Sequence, residues 1–413
     1  MKHLNFLLFL VIIALFISGC SSRKDNNSPP TQEPEPSIGA SPSTNSPTDI
    51  PTRLPSLTTT PAPTEPSITG SITPSSEYGQ AALQLLNQMS LEEKVGQMFF
   101  VRYNRETALD DLEKYHLGGF ILFSDAFSQQ TKSGIKDALA GYQSASGIPL
   151  LIGVDEEGGT VNRVSKYTAF RKVPFKAPQE LYQLGGFDLI VSDTIEKAKL
   201  LKSLGININL APVCDVSTNS KDFINQRSFG QDAGATSEYV KTVVTTMNEQ
   251  GIGCTLKHFP GYGNNIDTHT GIAIDERSSG QFYANDFLPF EAGIHAGAGS
   301  ILVSHNIVKA FDEGYPASLS PKVHNILRND LEFTGVIMTD DLSMDAIKKY
   351  TNNENAAVLA VLAGNDLLIA SDYGIQIPAV IAAVEDKTLP PENIDAAVLR
   401  ILEWKFSLGL MDQ

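Results

Sequence analysis

Residues 254–269 of the chain read CTLKHFPGYGNNIDTH. The segment starts with an apolar run, the run ends in Lys257 and His258, and Pro260-Gly261 then turns the chain. A short apolar run bounded by turn residues predicts a buried β-strand, and its last side chains are delivered to one end of a sheet.

Apolar runs of this kind recur along the chain, and helical stretches with 3.6-residue periodicity lie between most of them. We predict eight strands, at Met98–Arg102, Gly119–Phe123, Leu150–Asp155, Ile208–Val213, Cys254–His258, Ser300–His305, Val336–Asp340 and Asp366–Ala370. The predicted helices include Ala235–Asn248, Asp286–His295, Glu354–Leu362, Pro378–Glu385 and Glu392–Leu408. Ser90 and Glu93 form a capping box ahead of the first strand. This alternation predicts an α/β fold, a single (β/α)8 barrel of the TIM type over residues 79–413, with a doubly wound open sheet as the alternative. No second domain is predicted.

The N-terminal residues predict an export signal. Lys2 and His3 precede an unbroken apolar run at Phe6–Ile17, which is shorter than the roughly 20 residues of a transmembrane helix. The run leads into Ile-Ser-Gly-Cys20, which resembles a bacterial lipobox, where the signal is cut before a cysteine that is then lipidated. We predict a lipoprotein signal peptide at 1–19 and a lipid anchor on Cys20 that holds the protein outside the cytoplasm at the membrane. An ordinary signal peptide is the alternative.

Residues 21–78 predict a disordered linker. Twelve of these 58 residues are Pro and 22 are Ser or Thr, and none is Phe, Trp or Met. Such a segment cannot bury enough apolar surface to offset its chain entropy. As a flexible coil it would span about 40–45 Å on average, a reach that suits an anchored protein working in cell-wall material. We therefore assign 20–78 to the lipidated cysteine and its linker.

The composition excludes several classes of function. The chain carries 31 Lys and Arg against 47 Asp and Glu, a formal charge of −16, which argues against a nucleic-acid partner. Three cysteines exclude a disulfide scaffold, and no Cys/His spacing is typical of structural zinc. Cys214 and Cys254 lie in apolar runs and are interpreted as buried free thiols. An acidic globular enzyme remains as the simplest interpretation.

Polar side chains concentrate at the predicted strand ends, where a barrel places its chemistry. They are Asp155, Glu156 and Glu157; Asp215; Lys257 and His258; Ser304, His305 and Asn306; and Asp340 and Asp341. Residues two apart in an extended chain point the same way, so Asp267 can orient His269 for proton transfer, although the pair also suits a surface contact or a metal. One aspartate of Asp340-Asp341 suits a nucleophile and the other a helix N-cap.

Five motifs stand out along the predicted barrel. They are VDEEGGTVNRV (154–164), GININLAPVCDV (205–216), INQRSFG (224–230), LKHFPGYGNNIDTH (256–269) and GVIMTDDLSM (335–344). Together, and in this order, they resemble the glycoside hydrolase family 3 β-N-acetylhexosaminidases, which remove N-acetylglucosamine (GlcNAc) from peptidoglycan fragments. The resemblance covers about Leu83 to Leu410. It implies an exo-acting, retaining, single-barrel glycosidase that acts on GlcNAc-containing saccharides and has neither a metal nor another cofactor. We expect a monomer.

The resemblance also implies roles for individual residues. Asp340 corresponds to the nucleophile, His269 to the acid/base and Asp267 to the residue that orients His269, which departs from the two-carboxylate arrangement of most retaining glycosidases. Asp155, Arg163, Arg227, Lys257 and His258 correspond to positions that hold the sugar hydroxyls and the acetamido group. The chain departs from the family at Tyr262, where His is frequent, and lacks a Pro after the dyad.

Other functions stay open at this point. His258, Asp267, His269, His305 and Asp340 can all bind metals, so a metal-dependent hydrolase is an alternative, although no HxH or HExxH spacing occurs. A sugar-binding lipoprotein without catalytic activity is a second alternative, favoured by the change at Tyr262. Within the glycosidase hypothesis, phosphate in place of water is an alternative acceptor.

Overall fold

Eight parallel strands form the centre of the structure, a computed structural model that describes residues 76–265, 271, 273–351 and 356–412. The strands are β1 Phe99–Arg102, β2 Gly119–Leu122, β3 Leu151–Val154, β4 Ile208–Asn209, β5 Gly253–Phe259, β6 Ser300–Val303, β7 Val336–Thr339 and β8 Leu368–Ala370. Each strand pairs with the next in sequence from β1 to β7, and β1 also pairs with β8. A bridge between Met338 and Leu367 joins β7 to β8, so the sheet forms a nearly closed barrel. The predicted barrel is confirmed, and the open-sheet alternative is wrong.

Helices surround the strands. They are α1 Gly79–Leu86, α2 Leu91–Gln97, α3 Ala108–Tyr115, α4 Ser124–Phe127, α5 Lys132–Ala145, α6 Pro178–Ser203, α7 Ala233–Glu249, α8 Ser279–Gln281, α9 Phe287–His295, α10 Pro321–Asn325, α11 Asp345–Thr351, α12 Ala356–Ala363, α13 Tyr373–Glu385 and α14 Pro391–Ser407. The capping box of Ser90 and Glu93 starts α2, as predicted. In the ranges described, none of the helices has both the length and the apolar character needed to span a bilayer.

The strands differ from their predicted bounds most clearly at β4. The apolar run predicts a strand to Val213, but β4 ends at Asn209. Pro212 has no N–H to donate, so the regular ladder cannot continue through it. Pairing with β5 resumes beyond it, where Val213 forms a bridge with Lys257. Two small sheets lie outside the barrel, Glu156–Gly158 with Val161–Asn162 and Ile274–Asp275 with Ile307–Val308, and the sequence predicted neither.

Side chains fill the interior of the barrel. Phe100 on β1 is fully buried and its ring lies over Gly153 of β3, where a Cβ atom would come within 2.5 Å of the ring. Glycine at this position makes room for the aromatic ring, so the barrel has a packed core and its chemistry is confined to its ends.

The N-terminal predictions concern residues that the structure does not describe. Residues 1–75 lie outside the described ranges, and these include the signal peptide, Cys20 and almost all of the linker. The lipid anchor and the proposed boundaries therefore stay predictions.

A buried lysine lies beside the amino end of β1. Lys405 of α14 is fully buried, and its Nζ donates a hydrogen bond to Oε1 of Gln97, 2.6 Å away. Burial lowers the pKa of Lys405 to about 7. The unfolded chain keeps the ordinary lysine pKa of 10.5, so between pH 7 and pH 10.5 the unfolded state holds a proton that the folded state has released. Over this window Lys405 makes the free energy of unfolding rise with pH.

Substituting methionine for Lys405 is expected to remove this pH dependence. The wild type should gain about 1.4 kcal/mol of stability per pH unit from this group above pH 7, and Lys405→Met should lack that slope. At pH 6.5 the variant no longer buries a charge but leaves Oε1 of Gln97 without its donor, so its stability should lie within about 2 kcal/mol of the wild type. Urea unfolding at pH 6.5, 8 and 9.5 measures both effects, with the exposed Lys241→Met as the control. Parallel pH profiles for wild type and Lys405→Met would contradict the assignment.

Candidate active site

Polar side chains meet at the carboxyl ends of β3, β4 and β5. Asp155 follows β3, Asp215 follows the β4 segment, and Lys257 and His258 lie near the end of β5. All strands of the barrel run in parallel, so their carboxyl ends lie at the same end of the barrel. The predicted sugar-binding residues are brought together there.

Lys257 lies between two carboxylates. Its Nζ is 2.6 Å from Oδ1 of Asp155 and 2.7 Å from Oε1 of Glu157, and the residue is only 2% exposed. Burial lowers the pKa of Lys257, but the negative charges of Asp155 and Glu157 outweigh burial and raise it. Lys257 is therefore a fixed cation with both partners held in place.

Glu157 is shared between Lys257 and Arg227. Nε and Nη2 of Arg227 donate to the two carboxylate oxygens of Glu157, at 3.0 and 2.8 Å. Burial raises the pKa of Glu157, but the charges of Arg227 and Lys257 prevail and hold it well below its ordinary value. Glu157 is thus an anion that keeps two cations at fixed positions in the site.

Asp215 and Arg227 together set the tautomer of His258. Nη2 of Arg227 is 3.0 Å from Nε2 of His258, and Oδ2 of Asp215 is 2.7 Å from Nδ1. A guanidinium can only donate, so Nε2 accepts and the proton of the ring is on Nδ1, directed at Asp215. Asp215 also accepts hydrogen bonds from the backbone N–H groups of His258 and Tyr262, at 3.2 and 2.7 Å. The imidazole is held in one orientation.

Three consecutive acids after β3 have three different partners. Asp155 and Glu157 face the cations, whereas Glu156 is fully buried. The carboxylate of Glu156 accepts hydrogen bonds from the backbone N–H groups of Arg163, Val164 and Ser165, at 2.9, 2.8 and 3.1 Å. Glu156 thereby fixes the backbone of the loop that carries Arg163.

Arg163 lies at the accessible edge of this cluster. Its side chain is 31% exposed, and its Nε lies 4.0 Å from Oδ2 of Asp155. Asp155 is itself 14% exposed at the side chain, and its other oxygen is bound to Lys257. A donor and an acceptor a few ångströms apart at an open edge match the spacing of neighbouring hydroxyls on a sugar ring.

Asp340 directly follows β7 at the same end of the barrel. Its backbone N–H donates to the carbonyl of Val303, 3.1 Å away, and the register places Thr339, Val303 and Phe259 level across β7, β6 and β5. Asp340 is therefore one residue beyond the level of Phe259 and two residues beyond the level of Lys257, at the same end of the barrel.

The neighbouring Asp341 is occupied with structural bonds. Its carboxylate accepts from the backbone N–H of Ser343 at 2.9 Å and from the hydroxyl of Ser371 at 2.6 Å, which ties the end of β7 to the end of β8. The sequence predicted a helix N-cap for one of the two aspartates. The structure instead gives Asp341 a turn and an inter-strand contact.

Arg277 connects the two described segments on either side of residues 266–272. It forms close contacts with both carboxylate oxygens of Asp275 and with both of Asp286, and its Nη2 donates to the carbonyl of Gly261, 3.1 Å away. Asp275 and Asp286 are 2% and 1% exposed. Asp267 and His269, the predicted catalytic dyad, lie outside the described residues.

Among the described residues, little supports the alternative of a metal-dependent hydrolase. Both ring nitrogens of His305 are engaged, Nδ1 with the hydroxyl of Ser318 at 2.7 Å and Nε2 with the carbonyl of Asp341 at 3.0 Å. Where residues are described, no three His, Cys, Asp or Glu side chains are grouped as a metal site requires. Asp267 and His269 fall outside these ranges, so a metal site that includes them stays a hypothesis.

The sequence analysis predicted that two further residues of this cluster lie at strand ends, but it assigned them no role. Asp215 follows an apolar run directly, as Asp155 does, and Glu157 lies two residues after Asp155; this position was the available signal. Their partners, Arg227 and His258, belong to distant parts of the chain, so only the structure reveals their functions.

Comparisons with curated proteins identify relatives of the chain. The glycosyl hydrolase family 3 N-terminal domain matches residues 90–404. A beta-hexosaminidase of Stenotrophomonas maltophilia (strain R551-3) is 33% identical over 247 residues, which cover 57% of this chain and 71% of the relative. A beta-hexosaminidase of Nitrosomonas eutropha is 30% identical over 310 residues, which cover 73% of this chain and 82% of the relative.

Solved structures agree with these relatives. A family 3 beta-N-acetylglucosaminidase from Paenibacillus sp. str. FPU-7 is 28% identical with a TM-score of 0.74, over 79% of this chain and 64% of that one. This chain thus matches a little under two thirds of the Paenibacillus protein. A beta-N-acetylhexosaminidase from Beutenbergia cavernae is 26% identical with a TM-score of 0.69, over 77% of this chain and 99% of that one. The resemblance drawn from the five motifs is confirmed, and the chain belongs to glycosyl hydrolase family 3, as a glycoside hydrolase.

Proposed function

We propose that the protein is an exo-acting β-N-acetylglucosaminidase that hydrolyses terminal GlcNAc from peptidoglycan-derived or chitin-like saccharides with retention of configuration. The observation that carries the proposal is the cluster of Asp155, Glu157, Arg227, Lys257 and His258 at the carboxyl end of the barrel, with its fixed charges and fixed imidazole tautomer. Relatives named as beta-hexosaminidases and beta-N-acetylglucosaminidases support the choice of sugar.

In this proposal the cluster binds the terminal GlcNAc. Asp155 and Arg163 at the accessible edge accept from and donate to neighbouring hydroxyls, and Lys257 and Arg227 add further donors. His258, whose two ring nitrogens are bound to Asp215 and Arg227, holds Arg227 in place. Glu157 contacts Lys257 and Arg227, so it holds these two cations in place and does not itself bind the sugar. Because these groups are already ordered by one another, little reorganisation is needed when the sugar binds.

The chemistry follows two displacements at the anomeric carbon. Asp340 attacks this carbon and forms a covalent glycosyl-enzyme, while His269 protonates the departing glycosidic oxygen. His269 then removes a proton from water, the water oxygen attacks the same carbon, and the bond to Asp340 breaks. Asp267 orients His269 and stabilises the imidazolium form. Two inversions leave the released GlcNAc in its original β-configuration.

We place the enzyme outside the cytoplasm as a lipid-anchored monomer. The apolar run at Phe6–Ile17 and the Ile-Ser-Gly-Cys20 sequence support export and lipidation. The Pro-, Ser- and Thr-rich residues 21–78 would then let the barrel reach substrate at a distance from the membrane.

Turnover of paired aryl β-glycosides tests the proposal. The purified protein should cleave the GlcNAc compound and prefer it to the glucose compound by about 10²-fold or more, because glucose lacks the acetamido group that the site is proposed to bind. Chelator should have no effect, and phosphate buffer should yield GlcNAc and no GlcNAc-1-phosphate. Activity that chelator removes and zinc restores would support the metal hydrolase instead, and GlcNAc binding without turnover would support the sugar-binding protein.

A further inference from the structure

An exposed aromatic side chain lies on the loop that carries Arg227. Phe223 belongs to the segment between β4 and α7 and is 40% exposed. Side-chain hydrogen bonds order this segment around it: Ser217 Oγ donates to Asp222 Oδ2 at 2.8 Å, and Asn225 Nδ2 donates to the Ser217 carbonyl at 3.0 Å. The backbone on both sides of Phe223 is therefore held in place, and the exposed ring is presented by an ordered loop.

Two connections lead from Phe223 to the sugar-binding cluster. The ring of Phe223 lies 5.9 Å from that of Tyr262, and Tyr262 packs edge-on against His258 at 5.2 Å. The second connection is the loop itself, in which Arg227 donates its backbone N–H to the carbonyl of Ile224, 3.0 Å away. A single aromatic ring, that of Tyr262, thus separates Phe223 from His258 of the sugar-binding cluster.

Tyr262 and Phe223 differ in what they offer to a ligand. Tyr262 is 2% exposed, and its backbone N–H is bound to Asp215, so its ring is buried beside His258 and offers little surface to a ligand. Phe223 has neither charge nor hydroxyl and offers only an apolar face. The C–H groups on one face of a pyranose ring suit an aromatic surface, whereas peptide carboxylates would find no partner on phenylalanine.

We infer that Phe223 is the platform for the second sugar ring, the aglycone that leaves when terminal GlcNAc is released. The inference rests on the proposed function, in which the polar cluster holds the terminal GlcNAc. In this inference the terminal ring is bound at Arg227, and the next ring of a β-linked saccharide lies over the loop that carries Arg227, where Phe223 is exposed. Phe223 is then a specificity-determining residue that favours saccharide leaving groups over leaving groups without a ring.

The test compares two substrates that share GlcNAc and differ in the aglycone. Chitobiose has a sugar as its leaving group, and GlcNAc β-fluoride has only fluoride. In Phe223→Ala, the ratio of kcat/KM for chitobiose to kcat/KM for the fluoride should fall about tenfold, the loss of one aromatic stacking surface. Phe223→Trp should keep the ratio within about threefold of the wild type, because indole offers a similar or larger face.

Leu362→Ala is the matched control, since Leu362 is 39% exposed and lies near the end of α12, ahead of β8. Its ratio should stay at the wild-type value. An unchanged ratio in Phe223→Ala, or an equal loss on both substrates, overturns the role of Phe223 and leaves the proposed function standing. A wild-type protein that is folded but cleaves neither substrate overturns the proposed function, and this inference with it.

Discussion

Asp340→Ala should lose turnover by about 10⁴-fold or more while the barrel stays folded. The variant lacks the carboxylate that forms the covalent glycosyl-enzyme, and water has no equivalent route from the same face of the sugar. The fold should survive because Asp340 is only partly buried and follows β7 instead of contributing to the core. Steady-state kinetics with an aryl β-GlcNAc substrate, together with thermal unfolding, measure both quantities.

A variant of the neighbouring aspartate shows whether the loss of turnover belongs to Asp340 itself. Asp341→Ala removes the bonds to Ser343 and Ser371, so it should cost about 1–2 kcal/mol of stability yet keep turnover within about tenfold. If Asp340→Ala retained a turnover similar to that of Asp341→Ala, Asp340 would not be the nucleophile.

His269→Ala should slow substrates with poor leaving groups far more than aryl substrates, because only the former need protonation.

Arg277→Met should have the largest effect on stability, about 3–5 kcal/mol. The substitution leaves Asp275 and Asp286 buried without their cation and removes a donor from the carbonyl of Gly261. Burial already raises the pKa of Asp286 although Arg277 opposes the change. Without the arginine, the pKa of Asp286 should rise further, so the folded variant should hold a proton on Asp286 that its unfolded chain releases, and its stability should fall as the pH rises.

Urea unfolding at pH 5.5 and 7.5 measures both parts of this prediction. Arg171→Met is the matched control, because Arg171 also binds a carboxylate through two nitrogens, each at 3.0 Å, but its partner Glu196 is largely exposed. An exposed pair of this kind should contribute less than about 1 kcal/mol. Equal losses in the two variants would show that burial of Asp275 and Asp286 does not set the cost.

The barrel was predictable because its strands are short apolar runs, and the alternation of these runs with helices leaves few arrangements. The hairpin of Glu156–Gly158 with Val161–Asn162 was not predictable, since all of its residues except Val161 are charged, polar or glycine, and they lack strand periodicity. This hairpin depends on the carboxylate of Glu156, which binds three backbone N–H groups of the following loop. A side chain that orders backbone in this way leaves no periodic pattern in a sequence.

The active site was predictable to a similar extent. Position at a strand end is enough to select Asp155, Lys257 and His258, and the family motifs add Arg163 and Arg227. The different roles of Asp155, Glu156 and Glu157 could not be predicted, because each role depends on the partner that the carboxylate binds in the folded protein. Glu157 finds its partner Arg227 70 residues away in the chain, and no local spacing records that contact.

The pairing of β1 with β8 has a consequence for the nascent chain. Phe99 lies opposite Leu368, and the helices that flank β1 meet the last helix, where Lys94 pairs with Asp395 at 2.7 Å. A ribosome adds about 5–20 residues per second, so one edge of β1 stays without its native partner for the many seconds between these two points. An unpaired edge can recruit strands from other chains. Until residues 368–370 have been synthesised, this edge of β1 therefore stays open to pairing with strands of other chains.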